Sequence, residues 1–122
     1  MNIELSKRAV ACKHWRWMAG MRTKGGDRAQ GEIAYDGLED SYTYDVDSGG
    51  YWSFDGKAEL PDLDDPATLG CLLALVREAW DEPTLFVQAY GAIWSVSNED
   101  GDFLTDYSSE SEALVGALEA AP

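Results

Sequence analysis

Few residues in this chain could do covalent chemistry, and their spacing fits none of the familiar reactions. Histidine occurs once, as His14, so any nucleophile–histidine–carboxylate set would have to be built on this one imidazole. Cys12 and Cys71 have neither the CxxC nor the Cys/His spacing that zinc requires. Each falls in a segment expected to be helical, and they read as buried free thiols of a reducing compartment. Asp47-Ser48-Gly49-Gly50 lacks the lysine and the spacing of a phosphate-binding loop. Asp100-Gly101-Asp102 and Asp45-Val46-Asp47-Ser48-Gly49 have a passing likeness to calcium loops. Both lack the alternating oxygen ligands and the closing glutamate. With 23 acids in 122 residues, carboxylate pairs arise by chance, so none is singled out for acid–base work. The expectation is a protein that is not an enzyme, with no catalytic residue, no cofactor and no metal.

Charge is the more informative chemistry. Nine basic residues against 23 acidic ones leave a net charge of −14. Residues 1–31 hold seven of the basic side chains (Lys7, Arg8, Lys13, Arg16, Arg22, Lys24, Arg28), and all but two of the acids follow them. Such a surface repels a nucleic-acid backbone and attracts basic partners. The plainer alternative is that the basic first segment neutralises part of the acidic remainder within the fold. His14-Trp15-Arg16-Trp17-Met18-Ala19-Gly20-Met21-Arg22 alternates aromatic and basic residues, a pattern able to stack on nucleobases. Net charge opposes that use. The favoured reading has Trp15 and Trp17 packing while Arg16 and Arg22 pair with acids.

The elements that must position these residues can be read from periodicity. Ile3, Val10, His14 and Trp17 share a helical face, predicting an amphipathic helix over 3–13, with a glycine-rich loop over 23–31. Strands are expected at 32–36, around Tyr42–Val46 and at 51–54, the last two forming a hairpin across Ser48-Gly49-Gly50. Asp65 followed by Pro66 reads as N-cap and first helical residue. Leu69, Leu72, Leu73, Val76 and Trp80 then mark a helix apolar on nearly all sides, which predicts burial. After Asp81-Glu82-Pro83, strands are expected at 84–90, 92–97 and 102–107, linked tightly enough to be antiparallel. Ser109 with Glu112 opens a final helix as a capping box, with Ala113, Leu114, Ala117 and Leu118 inward. The whole reads as one α+β domain, 1–122, in the order α-βββ-α-βββ-α, with antiparallel sheet packed on three helices. No apolar run approaches the ~18 residues of a membrane span. Met1–Arg8 lacks the basic-then-apolar order of a signal peptide, so a cytoplasmic place is expected.

Three stretches carry a resemblance: Trp15–Met21, Pro61–Leu72 and Ser111–Pro122. Together they resemble a group of small, uncharacterised proteins encoded by bacteriophages and prophages, and are similar to domains described as phage α/β sandwiches. The resemblance implies a viral or prophage origin and a bacterial cytoplasm, and it brings no catalytic residues. It leaves 23–60 unmatched, the most acidic and aromatic part of the chain.

These readings converge on a surface. The expected contact residues are Asp36, Glu39, Asp40, Tyr42, Tyr44, Asp45, Asp47 and Tyr51. Tyrosines anchor contacts and carboxylates steer basic partners, and carboxylates on a rigid sheet can stand in for phosphates. The expected function is a phage accessory protein that binds and inhibits a host protein bearing a basic nucleic-acid-binding surface, as an anti-defence inhibitor would, without contacting nucleic acid or membrane itself. Two alternatives are a protein that sequesters a signalling nucleotide, using the basic and aromatic residues of 13–28, and a component of the virion or its assembly.

Overall fold

The computed structural model describes residues 3–26, 29–32, 41–45, 50–53, 60–102 and 106–122, the segments between 29 and 53 by their backbone alone. The fold is α+β, with three helices and antiparallel strand pairing among these residues. Helix α1 spans Ile3–Ala11; strands β1 (Ala29–Glu32), β2 (Ser41–Asp45) and β3 (Gly50–Ser53) follow. Helix α2 (Pro66–Trp80), strands β4 (Phe86–Tyr90) and β5 (Ile93–Ser97), and helix α3 (Glu110–Ala120) complete the order. Five strands are described where six were expected. At the place of the sixth, Tyr107 forms a single antiparallel bridge to Trp94, with N–H···O distances of 2.7 and 2.9 Å; 103–105 lie outside the described residues. The first strand lies at Ala29–Glu32, where a loop was expected, and the expected 33–36 falls outside the described residues.

Helix α2 begins as its cap residues dictate. The Asp65 carboxylate accepts from Thr68 N at 3.0 Å, and Pro66 follows where no donor is needed. Thr68 adds a second tie, its hydroxyl donating to the same Asp65 oxygen at 3.0 Å and accepting from Arg22 N at 2.9 Å. Asp65 and Thr68 are therefore buried and satisfied together. The helix ends on Asp81 in the left-handed region (φ 53°), whose N–H returns to Glu78 O. Its buried residues are Thr68, Leu72, Leu75 and Val76, while Leu69, Leu73 and Trp80 are only partly covered and Pro66, Ala67 and Gly70 are exposed. The expected all-round burial does not occur.

The central helix is α3. Ala113, Leu114, Val115, Gly116, Ala117 and Leu118 are all buried, so its middle is covered on every side. It packs against α1, α2, β4 and β5. Small residues at 113, 116 and 117 let neighbours approach closely. Trp80 Nε1 donates to Ala117 O at 2.8 Å, and the Tyr107 ring lies over Gly116. Half of the expected capping box is present: Glu112 N donates to Ser109 Oγ at 3.2 Å, while the Glu112 carboxylate accepts from Ser108 Oγ at 2.8 Å.

The basic segment after α1 is threaded between these helices. Trp17 and Met21 are buried in the core, and Trp15 meets Trp17 edge-on, ring centroids 5.5 Å apart. Residues 22–24 then pair with 60–62, through Asp62 N to Arg22 O at 2.8 Å and Lys24 N to Leu60 O at 2.9 Å. Buried Ser6 reaches the same segment by donating to Pro61 O at 3.0 Å. No helix among the described residues is long and apolar enough to cross a membrane.

Candidate functional site

Of the expected contact residues, Asp36, Glu39, Asp40 and Asp47 lie outside the described residues. Tyr42, Tyr44, Asp45 and Tyr51 are strand positions whose register is defined. Tyr42 pairs with Ser53, Tyr44 with Tyr51, Thr43 with Trp52 and Asp45 with Gly50. Directly paired residues share a face and successive residues alternate. The three tyrosine positions therefore fall on one face of the sheet, and Asp45 falls on the other with Trp52. The register brings the aromatic half of the expected site together and separates it from Asp45.

The fate of the basic segment is clearer. Arg8 pairs with Glu119, Arg16 with Glu78 at 2.8 Å and Arg22 with Asp62 at 3.6 Å. Each links the first 31 residues to an acid of the later chain, and Arg8 is held more firmly charged by its hydrogen bonds to Glu119. The packed tryptophans and paired arginines follow the structural reading of this segment. Asp81, Glu99, Asp100, Asp102 and Asp106 are exposed, and no ion pair among the described residues takes them. Among acids whose side chains are described, Asp65 alone is buried. The surface excess is thus carboxylate.

A shallow cleft of about 240 Å³ lies beside the paired Arg16, lined by His14, Arg16, Leu75, Glu78 and Ala79. His14 Nε2 is 3.4 Å from Ala121 O. His14 therefore sits against the C-terminal end of α3. Cys12, which lies just past α1 and not within it as expected, and Cys71 on α2 are free and half-buried, less covered than expected. Cys12 Sγ lies 3.6 Å from Leu118 O, and Cys71 Sγ lies 3.5 Å from Ala19 O. Burial pushes the Cys71 thiol up from its ordinary range, and the charge of Asp65 pushes it further in the same direction. Among the described residues no group of His, Cys, Asp and Glu is placed to hold a metal ion.

One surface was missed by sequence reasoning. Phe86, Tyr90 and Ile93 are large, apolar and exposed on the β4–β5 hairpin. Its signal was present in the sequence: Thr84–Asn98 contains no charged residue. Comparisons with protein-family models, with curated proteins and with solved structures gave no match.

Proposed function

We propose that this chain is a phage- or prophage-encoded accessory protein of the bacterial cytoplasm that binds and inhibits a host protein through that protein's basic, nucleic-acid-binding surface. The observation that carries the reading is the fate of the cations. Arg8, Arg16 and Arg22 are consumed by Glu119, Glu78 and Asp62, so the −14 charge is turned outward as exposed carboxylate. Such a surface draws in a basic partner and repels nucleic acid. The tyrosine positions 42, 44 and 51, together on one sheet face, offer the anchors that charge alone does not supply. The resemblance of Pro61–Leu72 and the two terminal stretches to phage and prophage proteins supports the origin.

The test is a titration against a basic host nuclease or DNA-surveillance complex, read as loss of its DNA binding. Affinity should fall as salt rises, because exposed charges are screened beyond about 8 Å at physiological ionic strength. Thr43→Lys with Asp45→Lys, compared with Tyr42→Ala with Tyr44→Ala, separates the two sheet faces. The pair that abolishes binding while leaving folding intact identifies the contact. Salt-independent binding, or binding untouched by both pairs, sinks charge mimicry by this sheet.

The second reading, sequestration of a signalling nucleotide, rests on the cleft at His14 and Arg16. Arg16 is already committed to Glu78 there, which leaves little positive charge for a phosphate. Native mass spectrometry of protein taken from cells would reveal a retained nucleotide, and bare protein would remove this reading.

A further inference from the structure

Thr84–Asn98 carries no charged side chain in a chain where 26% of residues are charged. It folds as β4, a tight turn and β5, with Gly91 at φ +59° supplying the positive φ that the first corner of a two-residue hairpin turn needs. The register is regular: Phe86 pairs with Ser97, Val87 with Val96, Gln88 with Ser95 and Tyr90 with Ile93. Val96 is fully buried, so Val87 and Val96 form the core-facing side. Phe86, Gln88, Tyr90 and Ile93 share the opposite side with Ser95 and Ser97; Phe86 is 37%, Tyr90 58% and Ile93 47% exposed there, while the two serines of β5 are buried. The polar groups of that side are satisfied internally. Gln88 Nε2 donates to Ser97 Oγ at 2.9 Å, and the Ser95 and Ser97 hydroxyls lie 3.4 Å apart.

Strand β5 is bridged by Tyr107 through Trp94, and among the described residues β4 is the outer strand of its two-stranded sheet. Folded proteins guard outer strands with lysine, proline or a bulge. Phe86-Val87-Gln88-Ala89-Tyr90 has none of these. It is instead a palindrome of residue classes: aromatic, aliphatic, glutamine, aliphatic, aromatic.

We propose that β4 is a docking surface for a second copy of this chain, the two strands pairing antiparallel about a two-fold axis at Gln88. A two-fold interface demands a self-complementary patch, and this palindrome provides one. Phe86 of each copy comes opposite Tyr90 of the other, an aromatic cross-strand pair made twice, and Gln88 comes opposite itself. Charge selects the same occupant. Two chains of −14 repel over most of their surfaces, and this segment lets them meet without opposing carboxylates. A basic partner would find no acid on this face to pair with. The product is a four-stranded sheet, β5-β4-β4-β5, whose apolar side is continued by Ile93.

Sedimentation equilibrium from low micromolar to millimolar concentration tests the proposal. The mass should move from 13.4 kDa toward twice that value, and association should strengthen with salt as repulsion is screened, the opposite of the host-binding trend. Phe86→Lys with Tyr90→Lys should give a monomer with an unchanged helical signal. Mixing that variant with Phe86→Glu/Tyr90→Glu should restore the dimer. Should the lysine variant lose its helical signal, Gln88→Cys in a C12S/C71S background reads the register independently, because the axis predicts a disulfide between two copies of position 88. A 13.4 kDa species at every concentration, a dimer that persists in folded F86K/Y90K, or no disulfide at position 88 overturns the proposal. Loss of host-partner capture by F86K/Y90K of a chain that never dimerises would reassign the face to that partner.

Discussion

The ring of Tyr107 lies directly over Gly116 in the middle of α3: a Cβ placed at 116 would stand 2.5 Å from Tyr107 Cε2 and 2.8 Å from its hydroxyl oxygen. Glycine inside a helix ordinarily costs about 1 kcal/mol against alanine. Here it makes room for the residue that bridges to Trp94. Gly116→Ala should therefore destabilise by roughly 1–2 kcal/mol through overpacking, despite its better helix propensity. In a Tyr107→Ala background the same substitution should stabilise by about 1 kcal/mol. Urea unfolding of the four proteins measures both signs, and a stabilising G116A beside an intact Tyr107 would show that the ring does not depend on the glycine.

Leu72 and Leu73 are neighbours on α2 with unequal burial: Leu72 is fully buried in the core, and Leu73 packs against its margin. Leu72→Ala should cost roughly 2–5 kcal/mol, the range of core leucine truncations. Leu73→Ala should fall at or below the lower end of that range. Chemical denaturation with an unchanged slope would read the difference as stability alone, and equal losses would mean that α2 sits more deeply than its exposed Gly70 implies.

The Cys71 thiol, raised by burial and then by Asp65, should react slowly with a thiol reagent at neutral pH and accelerate only above the ordinary thiol range. Because its folded pKa is raised, its contribution to stability is complete below the unfolded value. That contribution is lost as pH rises through the folded one. Asp65→Asn should speed the reaction at a fixed pH, measured against the wild-type profile with Cys12 replaced by serine. Removing the Asp65 charge without effect would leave burial as the whole cause.

Local features were legible where the chemistry is local. Asp65-Pro66 starts a helix because one carboxylate and one missing N–H satisfy that end wherever the helix later packs. Ser109 does the same for α3. The β4–β5 hairpin follows from alternation around Gly91. Arg16 and Arg22 could be assigned to acids because a −14 chain supplies partners in excess. The candidate site was less legible. Period-two alternation grouped tyrosines and carboxylates of 42–51 as one surface, but a strand puts neighbours on opposite sides. Only the β2–β3 register shows that positions 42, 44 and 51 share a face from which Asp45 is excluded.

By itself the sequence determined the α+β class, the three helices with two of their N-caps, and a surplus of carboxylate that internal pairing does not exhaust. The tertiary structure decided which helix is central. Hydrophobicity pointed to α2, yet α2 leaves Pro66, Ala67 and Gly70 exposed, while α3, with small residues at 113, 116 and 117 where its neighbours close in, is buried from Ala113 to Leu118. The reason is geometric. A position surrounded by two helices and a hairpin favours the smallest side chains, and low apolar bulk reads as a weak core signal in sequence although it is what lets Trp80 and Tyr107 close over the helix. The tertiary structure likewise decided that Phe86, Tyr90 and Ile93 of an uncharged run stay exposed while Ser95 and Ser97 on the same side are buried, because packing covers β5 beyond the turn and leaves β4 open.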